Sequence, residues 1–146
     1  MLFRSRAQVI AYLDASVVLR LVLGEADALR EWPTIERAVS SALARTECLR
    51  VMDRFRLQGR TDEGATARRR ALLLETLDAI EVLPLDADIL ERAGDPFPTA
   101  LGTLDAIHLA SALAARQELD GLIFATHDAA LGLAASAVGF EVQGLD

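Results

Sequence analysis

Short apolar segments of strand-like character alternate with helical patterns along this chain. The β-branched run VIAYL (9–13) and the continuous apolar run LIFAT (122–126) each precede a segment whose apolar residues recur at helical spacing. Strands that alternate with helices predict a mostly parallel sheet covered on both faces. We therefore expect an α/β fold in which side chains at the carboxyl ends of the strands form the ligand site.

The other elements follow from the same periodicities and from glycine and proline breakers. Strands are predicted at 9–13, 38–42, 80–85, 122–126 and 140–142. Helices are predicted at 16–23, 25–32, 43–58, 61–78, 86–93, 103–117 and 127–138. The clearest loop is GDPFPTALG (94–102), which carries two prolines and two glycines.

Length and composition predict one globular domain. The 146 residues are 52% apolar and 25% charged, a balance typical of folded domains. We take residues 1–146 as a single domain, with residues 1–8 left open as a leader or as added residues. Cys48 is the only cysteine, which suits a reducing compartment. No apolar run reaches the roughly 20 residues of a membrane span, and no signal-peptide pattern is present, so we expect a cytoplasmic protein without membrane contact.

Charge is distributed unevenly along the chain. All fifteen basic residues are arginine. Residues 1–70 hold thirteen arginines and nine acids, a net charge of +4, whereas residues 71–146 hold two arginines and thirteen acids, a net charge of −11. Such asymmetry suggests an anionic partner on one side and cation binding on the other. Genome composition and ordinary solvated helices remain an alternative explanation.

Four acids stand at positions from which their side chains could meet at one edge of the sheet. Asp14 ends the first predicted strand, and Asp128 follows the fourth strand by two residues. Asp105 lies in the first turn of the helix after the Gly/Pro loop. Glu47 lies inside a helix with apolar residues four positions to either side, so its side chain is expected to point inward.

Each of these acids also has a structural explanation that the sequence leaves open. Asp14 and Asp128 could cap the helices that follow them, and Asp105 could offset a helix dipole, with Thr103 as the cap. Glu47 could pair with a nearby arginine, since an inward acid without a partner is costly to bury. Arg50, Arg54 or another residue could reach it.

Taken together, the four acids favour a bound cation. Carboxylates gathered in one place repel each other, and their pKa values rise unless positive charge lies among them. The chain has no lysine, and its two histidines are too few for most zinc sites. Mg²⁺ prefers oxygen ligands and keeps several waters. We therefore expect metal-assisted chemistry, with His108 on a helix face beside the core and His127 flanking the site.

Four segments carry a family resemblance. They are YLDASVVLRLVLGE (12–25), RTECLRV (45–51), LGTLDAIHLASAL (101–113) and FATHDAAL (124–131). In their order and spacing, over about residues 9–145, they resemble the PIN-domain nucleases and, more narrowly, the VapC-type toxins of bacterial toxin–antitoxin pairs. The resemblance implies a PIN-like three-layer α/β/α sandwich with a central, mostly parallel sheet of about five strands.

The resemblance also implies a site and an activity. The acids that would serve as catalytic residues and metal ligands for Mg²⁺ or Mn²⁺ are Asp14, Glu47, Asp105 and Asp128. Ser16 and Thr126 match hydroxyl residues that support such a pocket. The implied substrate is RNA, such as tRNA or rRNA. The implied partners are a cognate antitoxin that blocks the site and a second copy in a homodimer. Hydrolysis by water attack should leave a 5′-phosphate and a 3′-hydroxyl.

A cluster of arginines follows the predicted site glutamate in two consecutive helices. Its members are Arg54, Arg56, Arg60, Arg68, Arg69 and Arg70. Arginine suits phosphate and can stack on bases, so we hypothesise that this segment holds the RNA backbone. A solvated helical hairpin, and a dimer or antitoxin surface, are the rival interpretations.

Three other classes of protein are compatible with parts of the pattern. A phosphoacceptor signalling domain and a haloacid-dehalogenase-type phosphatase also place acids at strand ends. Both use a lysine that this chain lacks, and the phosphatase needs a second aspartate where Ser16 stands. A PIN fold that binds RNA or protein without cutting is the remaining alternative to an endoribonuclease.

Overall fold

The computed structural model describes residues 7–145. The expectation that residues 1–8 are a leader or added residues therefore falls mostly outside the described part of the chain. The strands are β1 (Ile10–Leu13), β2 (Arg37–Ser41), β3 (Glu81–Leu83), β4 (Ile123–Ala125) and β5 (Val142–Gln143). The helices are α1 (Ala15–Leu23), α2 (Ala42–Leu57), α3 (Glu63–Asp78), α4 (Ala87–Ala93), α5 (Thr103–Arg116) and α6 (Ala129–Ala137), with a 3₁₀ turn at Trp32–Thr34.

The five strands form one parallel sheet in the order β3-β2-β1-β4-β5. The predicted parallel sheet is therefore confirmed. β2 and β3 lie on one side of β1, and β4 and β5 lie on the other, so the strand order reverses between β1 and β4. In open α/β sheets, a reversal of this kind creates a crevice at the carboxyl ends of the strands, where ligands bind.

Alternate residues of β1 supply two separate cores, one on each face of the sheet. Ala11 and Leu13 pack with residues of α1, α2 and α3, whereas Ile10 and Tyr12 pack with residues of α5 and α6. This follows from the two-residue period of a strand. The strand is fully apolar because both faces are covered, and the three-layer sandwich is confirmed.

One predicted element is wrong. The helix expected at 25–32 is absent, and the chain there forms turns that lead into the 3₁₀ turn. Gly24 ends α1 in the left-handed conformation at φ 65°, which redirects the chain. Only Leu29 of this segment is buried in the core, and a segment of this length has too little packing to hold an isolated helix.

The last strand also differs from its predicted position. It was expected at 140–142 and begins two residues later, at Val142. Phe140 is instead a core residue, 5.6 Å from the Phe124 ring and covered by the Arg116 guanidinium. Within the described residues, no helix has the length and apolar character needed to cross a membrane.

Candidate active site

The carboxyl ends of β1 and β4 bring two of the predicted site segments together. Leu13 pairs in register with Ala125, and the Asp14 amide donates to the Ala125 carbonyl at 3.2 Å. The residues that follow each strand, Asp14 and Thr126, therefore lie side by side. This is the position at which the strand order reverses.

The Asp14 carboxylate accepts hydrogen bonds from three donors that carry no charge. Its Oδ1 accepts from the Ser16 hydroxyl at 2.6 Å and from the Val17 amide at 3.1 Å. Its Oδ2 accepts from the Thr126 hydroxyl at 2.6 Å. The residue is 4% exposed, so solvent does not compete for these bonds. Because the donors are uncharged, they fix the direction of the carboxylate without supplying a positive charge. The capping role that the sequence left open is real, because Asp14 caps α1.

Asp128 is tied to the same group through Thr126. The Asp128 amide donates to the Thr126 hydroxyl at 3.0 Å, and the Asp128 Oδ1 caps α6 by accepting from the Leu131 amide at 2.9 Å. His127, between them, donates its amide to the Ser16 hydroxyl at 3.0 Å. Its ring Nδ1 bonds the Gly144 carbonyl at 2.7 Å, which joins the end of the chain to the site.

Asp105 lies close enough to the other three acids for their charges to affect its pKa. Partial burial raises the pKa of this carboxyl, and the charges of Asp128, Asp14 and Glu47 raise it further, while His108 acts in the opposite direction. The alternative that Thr103 caps this helix is wrong, because Thr103 is the first helical residue and the cap, Gly102, has no side chain to bond.

Glu47 has a partner that the sequence pattern did not identify. Its Oε1 contacts the Nε2 of His108 at 2.5 Å, and the His108 Nδ1 lies 2.8 Å from the Tyr12 hydroxyl. The alternative that Arg50 pairs with Glu47 is wrong, because Arg50 donates to Asp53 instead. A signal for His108 was present, because it lies three residues after Asp105 and so shares its helix face.

The donors at this site suit a hard cation with bound water. The four acids and two hydroxyls offer oxygen, and burial raises the pKa of the neighbouring Cys48 thiol to about 12, so that thiol stays protonated. Among residues 7–145, no group of three or more His, Cys, Asp or Glu side chains is arranged so that it could hold a metal ion without movement. Carboxylate and hydroxyl oxygens are the ligands that a hard divalent cation prefers, and such an ion would retain several waters here.

Comparison with known proteins agrees with this architecture. The family model described as the PIN domain matches residues 11–135. This chain belongs to the PIN-domain family. A curated relative, Ribonuclease VapC47 of Mycobacterium tuberculosis, is 35% identical over 136 residues, which cover 88% of this chain and 92% of the relative. That similarity identifies this PIN domain as VapC-like.

Two solved structures share the fold. VapBC2 from Rickettsia felis, bound to a DNA fragment from its promoter, matches with a TM-score of 0.66 at 10% identity, covering 94% of this chain and 100% of that chain. VapBC-5 from Mycobacterium tuberculosis, a member of the VapBC family of toxin–antitoxin systems, matches with a TM-score of 0.58 at 22% identity, covering 92% and 97%.

The arginine cluster of this PIN domain lies along the α2–α3 hairpin. Arg54 is exposed and follows Glu47 by seven residues, about 10 Å along the same helix face. Arg56 is partly neutralised, because it donates to Asp53 at 2.9 Å. Arg60 stacks on the Phe55 ring at 3.9 Å. The remaining members lie on α3, where Arg68 and Arg70 are exposed and Arg69 is half-buried.

Proposed function

We propose that this chain is a metal-dependent endoribonuclease that hydrolyses RNA phosphodiester bonds, and that it is the toxin of a toxin–antitoxin pair. The observation that carries the proposal is the placement of acids where the strand order reverses: Asp14 and Asp128 are joined there through the Thr126 hydroxyl. Burial, and then the charges of Asp128, Asp14 and Glu47, raise the pKa of Asp105 beside them. Repulsion between neighbouring carboxylates destabilises the folded protein, and a bound cation would relieve this repulsion. Membership of the PIN-domain family and the VapC-like relative support the same activity.

In this proposal the acids have different tasks. Asp14 and Asp105 are the principal ligands of Mg²⁺ or Mn²⁺, while Glu47 and Asp128 hold the ion or orient its waters. Ser16 and Thr126 fix the direction of the Asp14 carboxylate through the two hydroxyl contacts of 2.6 Å. A bound divalent ion supplies charge stabilisation at the phosphate and a water of lowered pKa.

The substrate is proposed to reach the acids along the α2–α3 hairpin. Exposed Arg54 lies on the Glu47 side of α2, and Arg68 and Arg70 add exposed positive charge on α3. Guanidinium groups bind phosphate in a bidentate manner. We therefore assign the cluster of Arg54, Arg56, Arg60, Arg68, Arg69 and Arg70 to the RNA backbone, with Arg56 and Arg60 contributing less because each already has a partner.

The proposed partners follow from the family. An antitoxin protein would cover the acidic site, and tRNA or rRNA is the proposed substrate class. A homodimer is proposed from the family resemblance. Large apolar residues are exposed on both helical layers, including Leu57 and Leu72 on α2 and α3 and Leu90, Leu104 and Leu133 on α4, α5 and α6. Light scattering on the purified chain would test the dimer, and we propose a cytoplasmic location for the pair.

The decisive experiment compares cleavage of total RNA by the purified protein with Mg²⁺, with Mn²⁺ and with a chelator. We expect Asp14→Asn to lower the rate by at least about two orders of magnitude, as for other groups that stabilise transition-state charge. Asp88→Asn is the matched control, because Asp88 is an exposed aspartate in the first turn of α4. Unchanged cleavage by Asp14→Asn would mean that the proposed acidic site does not cut the RNA, and cyclic 2′,3′-phosphate ends would contradict water attack. Absence of cleavage by the unaltered chain with either ion would leave a non-catalytic binding module.

A further inference from the structure

Three side chains from three different elements form a buried hydrogen-bonded chain that ends at the candidate site. Tyr12 lies on β1, His108 on α5 and Glu47 on α2. The Tyr12 hydroxyl is 2.8 Å from the His108 Nδ1, and the His108 Nε2 is 2.5 Å from the Glu47 Oε1. Tyr12 and His108 are 0% and 1% exposed, so solvent does not compete for these bonds.

The chemistry of the two end groups determines where the protons lie. A carboxylate only accepts hydrogen bonds, so the His108 Nε2 carries a proton and donates a hydrogen bond to the Glu47 carboxylate. Burial raises the pKa of Tyr12 well above its usual range, with the charges of Asp14 and Glu47 adding to the effect. The phenol therefore keeps its proton and can donate to the His108 Nδ1. A proton on the His108 Nε2 therefore satisfies Glu47, and the contact between Nδ1 and the phenol completes the hydrogen bonding of the ring.

Tyr12, at the end of the hydrogen-bonded series opposite Glu47, is held by contacts of its ring. The Tyr12 ring stacks on Phe124 of β4, with centroids 5.4 Å apart and planes 16° from parallel. The His108 ring meets the Tyr12 ring edge-on at 5.9 Å and 72°. The hydroxyls of Ser111 and Ser41 also lie next to the phenol. Tyr12 thus connects the centre of the sheet to His108.

We propose that His108 and Tyr12 are positioning residues that fix the Glu47 carboxylate toward the metal-binding acids; this inference rests on the proposed function. Among the hydrogen bonds of residues 7–145, the Glu47 side chain uses only Oε1, which keeps Oε2 for an ion or its water. Groups that hold a metal-binding carboxylate in this way typically affect metal affinity or activity by about 10–100-fold.

The test measures binding of Mn²⁺ alone to the full chain by calorimetry, without RNA. His108→Leu removes the donor to Glu47 and should weaken Mn²⁺ binding by about 10–100-fold. His108→Gln places an amide N–H near the position of Nε2 and should recover most of that loss. Tyr12→Phe keeps the stacked ring but removes the hydroxyl, and should give a smaller loss in the same direction.

A double variant distinguishes positioning from a general loss of packing. If His108 acts through Glu47, Glu47→Gln with His108→Leu should bind Mn²⁺ no more weakly than Glu47→Gln alone. A purely structural role would lower the free energy of unfolding in chelator and leave Mn²⁺ affinity unchanged in every folded variant. That result would overturn the inference. Should His108→Leu fail to fold, His108→Gln and Tyr12→Phe carry the same comparison.

Proton-detected nitrogen NMR gives a readout that needs neither activity nor metal. We expect the His108 Nε2 to carry a proton that is protected from exchange with solvent, and this protection to be lost in Glu47→Ala, which removes the acceptor. A His108 ring protonated only at Nδ1 would overturn the inference. If the unaltered chain binds no Mn²⁺, the proposed function fails as well. If it binds Mn²⁺ in a manner lost in Asp14→Asn but unaffected by every His108 variant, only this inference fails.

Discussion

Thr126 connects two of the site acids through a single hydroxyl that is fully buried. It donates to the Asp14 Oδ2 at 2.6 Å and accepts from the Asp128 amide at 3.0 Å. Thr126→Val keeps the shape but leaves both groups without this partner, which should lower the free energy of unfolding by about 1–3 kcal/mol. Urea denaturation in chelator measures the loss.

Thr126→Ser is the matched control for that prediction, because it retains the hydroxyl and removes only a methyl group. We expect the serine variant to unfold at a free energy closer to that of the unaltered chain, and to retain more cleavage activity than the valine variant. Equal stability of the valine variant and the unaltered chain would mean that Thr126 does not hold the two acids.

Asp105 should make the metal-free protein less stable as the pH rises. Its pKa is raised in the folded state by burial and by the neighbouring acids, so the unfolded chain loses its proton at lower pH than the folded chain does. Stability therefore falls as the pH increases from the ordinary aspartate pKa of about 3.9 through the raised value, and the loss persists at neutral pH.

Asp105→Asn removes this penalty and should raise the free energy of unfolding at pH 7.5 in chelator, with a smaller gain at pH 4.5. Asp88→Asn is again the control, because Asp88 also lies in the first turn of a helix but is exposed. It should show no such gain. A gain for Asp105→Asn that does not depend on pH would contradict the electrostatic explanation.

At the residue scale, the sequence could predict the positions of the acids but not their partners. Asp14 follows an apolar strand, and the ends of parallel strands meet at one edge. The partner of Glu47 is 61 residues away on another helix, and local spacing could only suggest nearby arginines. His108 was expected beside the core because an imidazole on a largely apolar helix face gives no indication of which residue it contacts.

At the scale of elements, periodicity predicted the order of strands and helices from β1 to α6. It failed at 25–32, where Leu29 is the only residue in the buried core. Helical propensity is a weak prior in a short segment, and the left-handed Gly24 sets the direction of the chain before a helix can continue. The helix boundaries elsewhere moved by one or two residues, which is normal for frayed ends.

The α2–α3 hairpin provides a prediction at this scale. Charge reversal of the α3 cluster, Arg68→Glu with Arg69→Glu and Arg70→Glu, should weaken RNA binding in chelator. It should also reduce the slope of log K against log salt by roughly 2 if three phosphate contacts are lost from single-stranded RNA. Binding can be measured by fluorescence anisotropy across salt concentrations.

Arg92→Glu is the control for the hairpin, since Arg92 lies on α4 in the opposite layer. It should change neither affinity nor slope. Because Arg69 is half-buried, the double variant Arg68→Glu with Arg70→Glu repeats the measurement without altering that residue. An unchanged slope in both hairpin variants would favour a dimer or antitoxin surface.

At the scale of the whole molecule, the uneven charge of the sequence becomes a difference between the two layers of helices. Residues 1–70, with their net charge of +4, supply α1, α2 and part of α3 on one face. The acidic remainder supplies α4, α5 and α6 on the other face. The acids of the proposed site come from both layers and from the ends of β1 and β4 between them, and we propose that the arginines hold RNA without filling this site.

This arrangement predicts that a divalent ion stabilises the entire domain. A ligand at 100 times its Kd stabilises the folded state by roughly 2.7 kcal/mol, and for a chain of this length the melting temperature should rise by about 5–10 °C. The rise is expected with Mg²⁺ or Mn²⁺ and should be reversed by chelator. Asp14→Asn should lose most of it, whereas Asp88→Asn should retain it. A melting temperature that is indifferent to both ions would mean that the repulsion at Asp105 is not relieved by metal, and the crowded carboxylates would then need a cationic partner from another molecule.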